Sequence, residues 1–196
     1  MLAAGRGVRF GGDTPKALTQ LRGRPLVAYA LDAARASGCS PVVLVVSDTR
    51  VADAVGDRAE IVRNDAPELG IASSLQCALR HLERDGATDT PAVVVGLADQ
   101  PLVTAEAYRR VAAAFDAGAR LAFATYEGHR ANPVLIAREH WAEAMQLTGD
   151  EGARVLFRRH PAVAVPCDDA GAATDVDTPQ DLADLESRWR STTASE

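Results

Sequence analysis

Cysteine is scarce in this chain: Cys39, Cys77 and Cys167 are odd in number, scattered, and without the paired spacing of a zinc site or a redox couple. They read as buried thiols of a reducing compartment. No apolar run approaches the length needed to cross a membrane, and the N-terminus runs straight into a Gly/Arg loop where a signal peptide would need an apolar segment. A cytoplasmic location is expected. Positive charge is also in deficit: the formal net charge is -6 and the pI about 5.2, which argues against a partner such as nucleic acid or a membrane surface. The four histidines, His81, His129, His140 and His160, show no catalytic spacing, and there is no internal repeat.

What is present suits one globular unit. With 196 residues, 47% hydrophobic and 24% charged, the chain can bury a sizeable core, expected as a single domain over 1–190 with a polar tail at 191–196. Short β-branched runs at 41–47, 92–99, 120–127 and 132–137 alternate with amphipathic stretches at 25–38, 73–86 and 104–118. Each of those stretches begins with Pro, Ser or Thr and ends at Gly, as helix capping prefers. Further helices are expected at 138–147, 151–159 and 179–190, with a short strand at 162–166. The order predicts an α/β fold: a three-layer α/β/α sandwich with a mostly parallel mixed sheet, Rossmann-like. Met1–Ala4 is left to form a short first strand.

The opening LAAGRGVRFGGDTPKAL places Gly5, Gly7, Gly11 and Gly12 among Arg6, Arg9 and Lys16. Glycines without a Cβ let backbone N–H groups approach a phosphate closely, Arg9 can fork onto phosphate oxygens, and Lys16 can deliver a point charge. In an open α/β sheet, ligands sit at such strand ends. No Gly-Lys-Ser/Thr occurs, which excludes a Walker loop, and the third glycine comes one place late for a dinucleotide fingerprint. Asp48, after VVLVVS, could imitate the ribose-binding acid of an NAD-dependent oxidoreductase, so that reading stays open.

LAAGxxxRxG followed by Pro-Lys resembles the signature of nucleotidyltransferases with the glycosyltransferase-A-like fold. GLADQPLV (96–103), GHRANPVLI (128–136), TGDEGARVLF (148–157) and DVDTPQDL (175–182) narrow the resemblance to the molybdenum cofactor nucleotidyltransferase group, particularly its cytidylyltransferases. The resemblance implies a nucleotide site at Leu2, Ala3, Ala4, Gly5, Gly7, Arg9, Lys16, Gly70 and Ser74. It implies an acceptor pocket at Asn132, Pro133, Gly149, Asp150, Gly152 and Arg154, and catalytic roles for Arg9, Lys16 and Asp99. Asp99 and Asp177 would hold Mg²⁺, an ion that needs only one or two protein carboxylates because it keeps several waters. Three plainer roles remain open: Asp177 as a cap of the last helix, Asp99 as an ordinary turn residue, and Ser73 or Ser74 as a cap of the helix at 73–86.

The resemblance implies transfer of CMP from CTP to the terminal phosphate of molybdenum cofactor, with pyrophosphate leaving. A phosphate nucleophile is ionised near neutral pH, so the lack of a Ser-His pair fits. The expected partners are small-molecule substrates and a molybdenum hydroxylase that receives the product. Pro15-Lys16 looks more like the sugar-nucleotide branch, which makes a sugar-phosphate or polyol-phosphate acceptor the alternative. A nucleotide-binding cofactor chaperone without turnover is the alternative of another class.

Overall fold

The computed structural model describes residues 1–5, 13–84 and 90–193. Its strands are β1 (Leu2–Ala3), β2 (Gln20–Leu21), β3 (Arg24–Pro25), β4 (Val43–Val46), β5 (Glu60–Arg63), β6 (Ala92–Val95), β7 (Leu121–Tyr126), β8 (His129–Ala137) and β9 (Val163–Pro166). The helices are α1 (Leu26–Ala36), α2 (Thr49–Val55), α3 (Ile71–Arg84), α4 (Ala105–Asp116), α5 (Trp141–Ala144), α6 (Arg154–Arg159) and α7 (Pro179–Thr193).

β1, β4 and β5 form a parallel set, and β6, β8, β7 and β9 form a mixed one. The two sets meet at β1: Leu2 N–H donates to Gly96 O at 2.9 Å and Ala98 N–H to Leu2 O at 3.0 Å. The continuous order is therefore β5-β4-β1-β6-β8-β7-β9, with β8 antiparallel to both of its neighbours. The small β2–β3 hairpin turns through Arg22 and Gly23, both at positive φ, as a two-residue hairpin loop requires.

Strand alternation sorts the core into two faces. Leu44 and Val46 point towards α1 and α2, while Ala122, Ala124 and Leu135 point towards α4. Val43, Val45, Leu121, Val134 and Ile136 face the opposite way, onto α3, α5 and α6. Helices thus cover both faces of the sheet, the three-layer architecture expected from the order of elements. α7 seals a separate corner, where Leu185 and Val176 pack on Leu21 and Leu26.

Several boundaries differ from the expectation. The stretch 138–147 is a 3₁₀ turn (Arg138–His140) leading into α5, because only Trp141 and Ala144 of that segment turn fully inward before Leu147. The helix expected over 151–159 begins at Arg154, after Gly149 and Gly152 take left-handed φ values that a helix cannot contain. α7 continues to Thr193, into the stretch expected as a tail. Neither α2 nor β5 was expected: α2 buries only Val51 and Val55, and β5 only Val62, too little apolar signal for periodicity to register.

Candidate active site

Lys16 opens a 3₁₀ turn, Lys16–Leu18, directly after Pro15, and burial of Ala17 against Val27 and Leu31 fixes that turn beneath α1. The Lys16 side chain then runs inward to 11% exposure. Its Nζ donates to Asp99 Oδ2 at 2.6 Å and also to Asp177 Oδ1. The three charged groups come from positions 83 and 161 residues away from Lys16, so only the fold brings them together.

Each acid is set by local chemistry. Asp99 lies in the loop just beyond β6, where Ala98 bonds back to β1, and its carbonyl accepts from Val176 N–H at 3.0 Å. That backbone contact lays the Asp175–Asp177 stretch beside Asp99. The capping alternative for Asp177 is answered by its neighbours. Asp181 Oδ2 accepts from the Asp177 and Thr178 N–H groups at 3.0 and 2.7 Å, and Thr178 Oγ1 accepts from Asp181 N–H at 3.1 Å. This reciprocal pair starts α7 in capping-box fashion and leaves the Asp177 carboxylate turned towards Lys16. Gln100 Nε2 holds Asp175 Oδ1 at 2.7 Å.

The electrostatics follow from this clustering. Burial disfavours the Lys16 ammonium, but the Asp99 charge and the hydrogen bonds to both acids outweigh it and raise its pKa above the ordinary lysine value. Burial pushes the Asp175 carboxyl up, Gln100 opposes that, and the like charges of Asp99 and Asp177 add to it. Asp99 Oδ1 is buried and has no hydrogen-bond partner among the described residues. An orphaned carboxylate oxygen beside a second carboxylate is a donor set suited to a hard divalent cation, so Asp99 and Asp177 fit a metal of the Mg²⁺ or Mn²⁺ kind.

Next to this cluster is a cleft of about 330 Å³ lined by Leu2, Ala4, Gly5, Pro67, Gly70, Ser74 and Asp99. A Cβ at Gly5 would meet no described atom within 4 Å, so protein packing does not demand glycine there. Among the expected nucleotide residues that the structure describes, Lys16 borders this cleft through Asp99 without lining it, and Ala3 does not line it because strand alternation turns it to the other face, against α1 and α2. Arg9 and Gly7 lie outside the described residues.

A second pocket, about 140 Å³, adjoins the first through the shared residues Ile71, Leu97 and Asp150, and contains Asn132, Gly152 and Arg154. Asp150 also accepts from Ile71 N–H at 3.3 Å, and Gly149 O accepts from Ala72 N–H at 3.1 Å, so the 149–150 segment supplies partners for the first turn of α3. Gly70 is required at this junction: at φ +88°, a Cβ there would stand 2.4 Å from Gly149 C and 2.6 Å from Asp150 Oδ1. Pro133 is buried outside the pocket lining.

The residue family model for a MobA-like NTP transferase domain matches residues 1–164. The chain belongs to the MobA-like NTP transferase family. Among curated relatives of this family member, it is 34% identical to nicotine blue oxidoreductase of Paenarthrobacter nicotinovorans, over 93% of this chain and 92% of that one. It is 40% identical to the bifunctional protein GlmU of Kineococcus radiotolerans over 60% of this chain, a match spanning 24% of GlmU. Rv0371c of Mycobacterium tuberculosis superposes with a TM-score of 0.81 at 29% identity, covering 95% of each chain, and its manganese complex with a TM-score of 0.78. The two pockets sit at the carboxyl ends of β1 and β6, where an open α/β sheet binds its ligands.

Two contributors escaped the sequence reading. Arg130 lines the smaller pocket, its guanidinium held 5.4 Å from the Phe123 ring centroid and 5.7 Å from that of Phe157. The GHRANP stretch contained it, but nothing in spacing marked it as a pocket cation. Asn64, 2% exposed, donates from Nδ2 to Ser73 Oγ at 2.9 Å and Ser74 Oγ at 3.0 Å, fixing the loop that carries Gly70. Ser74 therefore braces this loop in addition to lining the cleft. Lys16, which the sequence did single out, is the one lysine among the 21 Lys and Arg residues of the chain.

Proposed function

We propose that this nucleotidyltransferase moves CMP from CTP to the terminal phosphate of a molybdopterin-type cofactor, with release of pyrophosphate. The observation that carries the reading is Lys16 between Asp99 and Asp177, at the mouth of a cleft that opens into a pocket bearing Arg130 and Arg154. The larger cleft would take the nucleotide and the smaller, cationic pocket the anionic acceptor. Ala4, 3% exposed and lining the cleft, adds a methyl to its wall and favours the smaller pyrimidine base.

In the proposed step an acceptor phosphate oxygen forms a bond to the α-phosphorus, the bond to the bridging oxygen of the β-phosphate breaks, and the electron pair leaves on pyrophosphate. The nucleophile is already ionised, so no side chain has to remove a proton. Lys16 would pivot from the carboxylates to the triphosphate and stabilise the charge that develops on the leaving group. Arg130, held by two rings, and Arg154 would orient the acceptor for in-line attack. Asp99 and Asp177 would hold Mg²⁺, which when bound supplies positive charge against the phosphate oxygens. A molybdenum hydroxylase is the proposed recipient of the product.

The test is pyrophosphate release by the purified chain with Mg²⁺ and molybdenum cofactor, with CTP and GTP in parallel and sugar 1-phosphates as a third arm. Release with CTP and cofactor alone supports the reading. Release with a sugar phosphate transfers it to the alternative that Pro15-Lys16 favours, and nucleotide binding with no release in any arm favours a chaperone. A redox reading is favoured by the name of the relative nicotine blue oxidoreductase. Against a dinucleotide version of it, the Asp48 carboxylate is engaged by the Arg50 backbone at 2.8 Å and guanidinium at 2.7 Å as the cap of α2. Consumption of NADH or NADPH with nicotine blue, and no pyrophosphate release, would establish the redox reading instead.

A further inference from the structure

A second cluster of ligating side chains stands at the other end of the sheet. β8 runs antiparallel to β6 and β7, and β9 runs parallel to β7, so the end of β8 and the start of β9 lie opposite to the Lys16 site. His140 follows β8 by three residues, and His160 precedes β9 by the same number. Between them, Glu143 sits one helical turn on from His140, on the same face. One ligand atom from each of His140, Glu143 and His160 lies within 4.8 Å of the others.

We propose that His140, Glu143 and His160 form a second metal site, for a borderline divalent ion of the Zn²⁺ class. Two imidazoles and one carboxylate are a ligand set that such ions accept, whereas Mg²⁺ and Ca²⁺ prefer all-oxygen surroundings. Ligands at about 2.0 Å from a tetrahedral ion stand roughly 3.3 Å apart, so side-chain rotations of about 1 Å complete the site.

The supports of these side chains are rigid. Trp141 and Ala144, 1% and 0% exposed, anchor α5 in the same core as Leu156 of α6, also at 0%. The His140 and His160 rings lie 4.6 Å apart between centroids, and His160 Nε2 is 2.5 Å from Glu143 Oε2. Arg159 Nη1 holds the other carboxylate oxygen, Oε1, at 2.9 Å. The ion replaces the His160–Glu143 hydrogen bond at Nε2, leaving His160 a neutral ring with its one proton on Nδ1 and Glu143 a carboxylate, while Arg159 remains as the partner that orients that carboxylate. Glu139 Oε1, 3.8 Å from His140 Nε2, and an adjoining cleft of about 460 Å³ leave room for a fourth ligand, protein or water.

The bound ion would clip together both ends of the chain segment 144–159. That segment contains Gly149, Asp150, Gly152 and Arg154, which line or brace the smaller pocket. The proposal does not depend on the transfer reaction.

The experiment uses the full chain, stripped with chelator and supplied with excess Mg²⁺ so that the carboxylate pair at the other end is not the site being read. Calorimetric titration with Zn²⁺, and visible spectra with Co²⁺, follow for the wild type, His160→Gln and Glu143→Gln. The expected result is one equivalent of tightly held Zn²⁺, with affinity at least ~10-fold weaker in each variant and the Co²⁺ ligand-field bands lost. At a hundredfold excess over Kd, Zn²⁺ should raise the wild-type Tm by about 5 °C or more. Both substituted residues are partly exposed, and circular dichroism verifies their folding. Absence of Zn²⁺ binding in the wild type, or binding that neither substitution weakens, overturns the proposal.

Discussion

Replacing Lys16 tests the candidate site most directly, because its ammonium is the shared counter-charge of Asp99 and Asp177. In Lys16→Ala both carboxylates lose a charge-assisted hydrogen bond, each worth about 1.5–3 kcal/mol before solvent compensates. Asp99 and Asp177 are 26% and 43% exposed, so water recovers much of that. A net loss of about 1–2 kcal/mol remains, or about 2–8 °C in Tm for a chain of this size. The lysine pKa is raised above its ordinary value in the fold. Its contribution is therefore fully present below the unfolded pKa and is lost only as pH rises through the still higher folded value. The wild-type advantage should stay level across neutral pH and shrink in strong alkali. Thermal denaturation with and without Mg²⁺ supplies the decisive control: a divalent ion should stabilise Lys16→Ala more than the wild type, since it meets two unneutralised carboxylates. An unchanged Tm together with identical Mg²⁺ responses would refute the electrostatic argument. In the pyrophosphate assay the same substitution should lower turnover at least ~100-fold. Lys16→Arg should fail to restore it, because a planar fork does not reproduce a compact point charge between two carboxylates.

Other substitutions probe the remaining parts of the site. Asp99→Asn should retain the fold but lower turnover at least ~100-fold and weaken Mg²⁺ binding, as measured by pyrophosphate release and calorimetry. Gly70→Ala should cost about 2 kcal/mol or more and lower Tm by at least ~4 °C, since its Cβ would strike Gly149 C at 2.4 Å from a left-handed backbone. Asp175→Asn should stabilise the protein at neutral pH. Its folded pKa is raised, so the wild type is favoured below the unfolded carboxylate value and penalised as pH climbs through the folded one. Solvent exposure keeps that gain under about 1 kcal/mol, and it should vanish in thermal melts below about pH 4.

The parts of this molecule that were legible in its sequence are those where one residue type carries the signal. β4 could be read because VLVV is buried throughout, and β6 and β7 from similarly apolar runs. α2 and β5 could not, because three buried valines spread over both elements make no periodic pattern. The same division runs through the site. Lys16 stood out as a cation among the glycines of the opening loop, and Asp99 and Asp177 were named through motifs that resemble those of nucleotidyltransferases; the fold brings the three side chains together. Asn64 was invisible, since its work is to hold Ser73 and Ser74, and nothing local distinguishes it from an ordinary turn asparagine.

Asp150 had an assigned role that covered only half of its position, because the start of α3 needs a carboxylate that sequence distance hides. The basic residues sharpen this contrast. Among 21 lysines and arginines, the only lysine stands where two carboxylates leave space for a single ammonium. Arginine fills the places where a fork or a flat cation suits, such as Arg110 across both oxygens of Asp169 and Arg130 over two rings. The choice between the two cations is thus decided by geometry that forms only on folding. Read backwards, the lone lysine in an arginine-rich chain marks a position where a point charge meets two carboxylates.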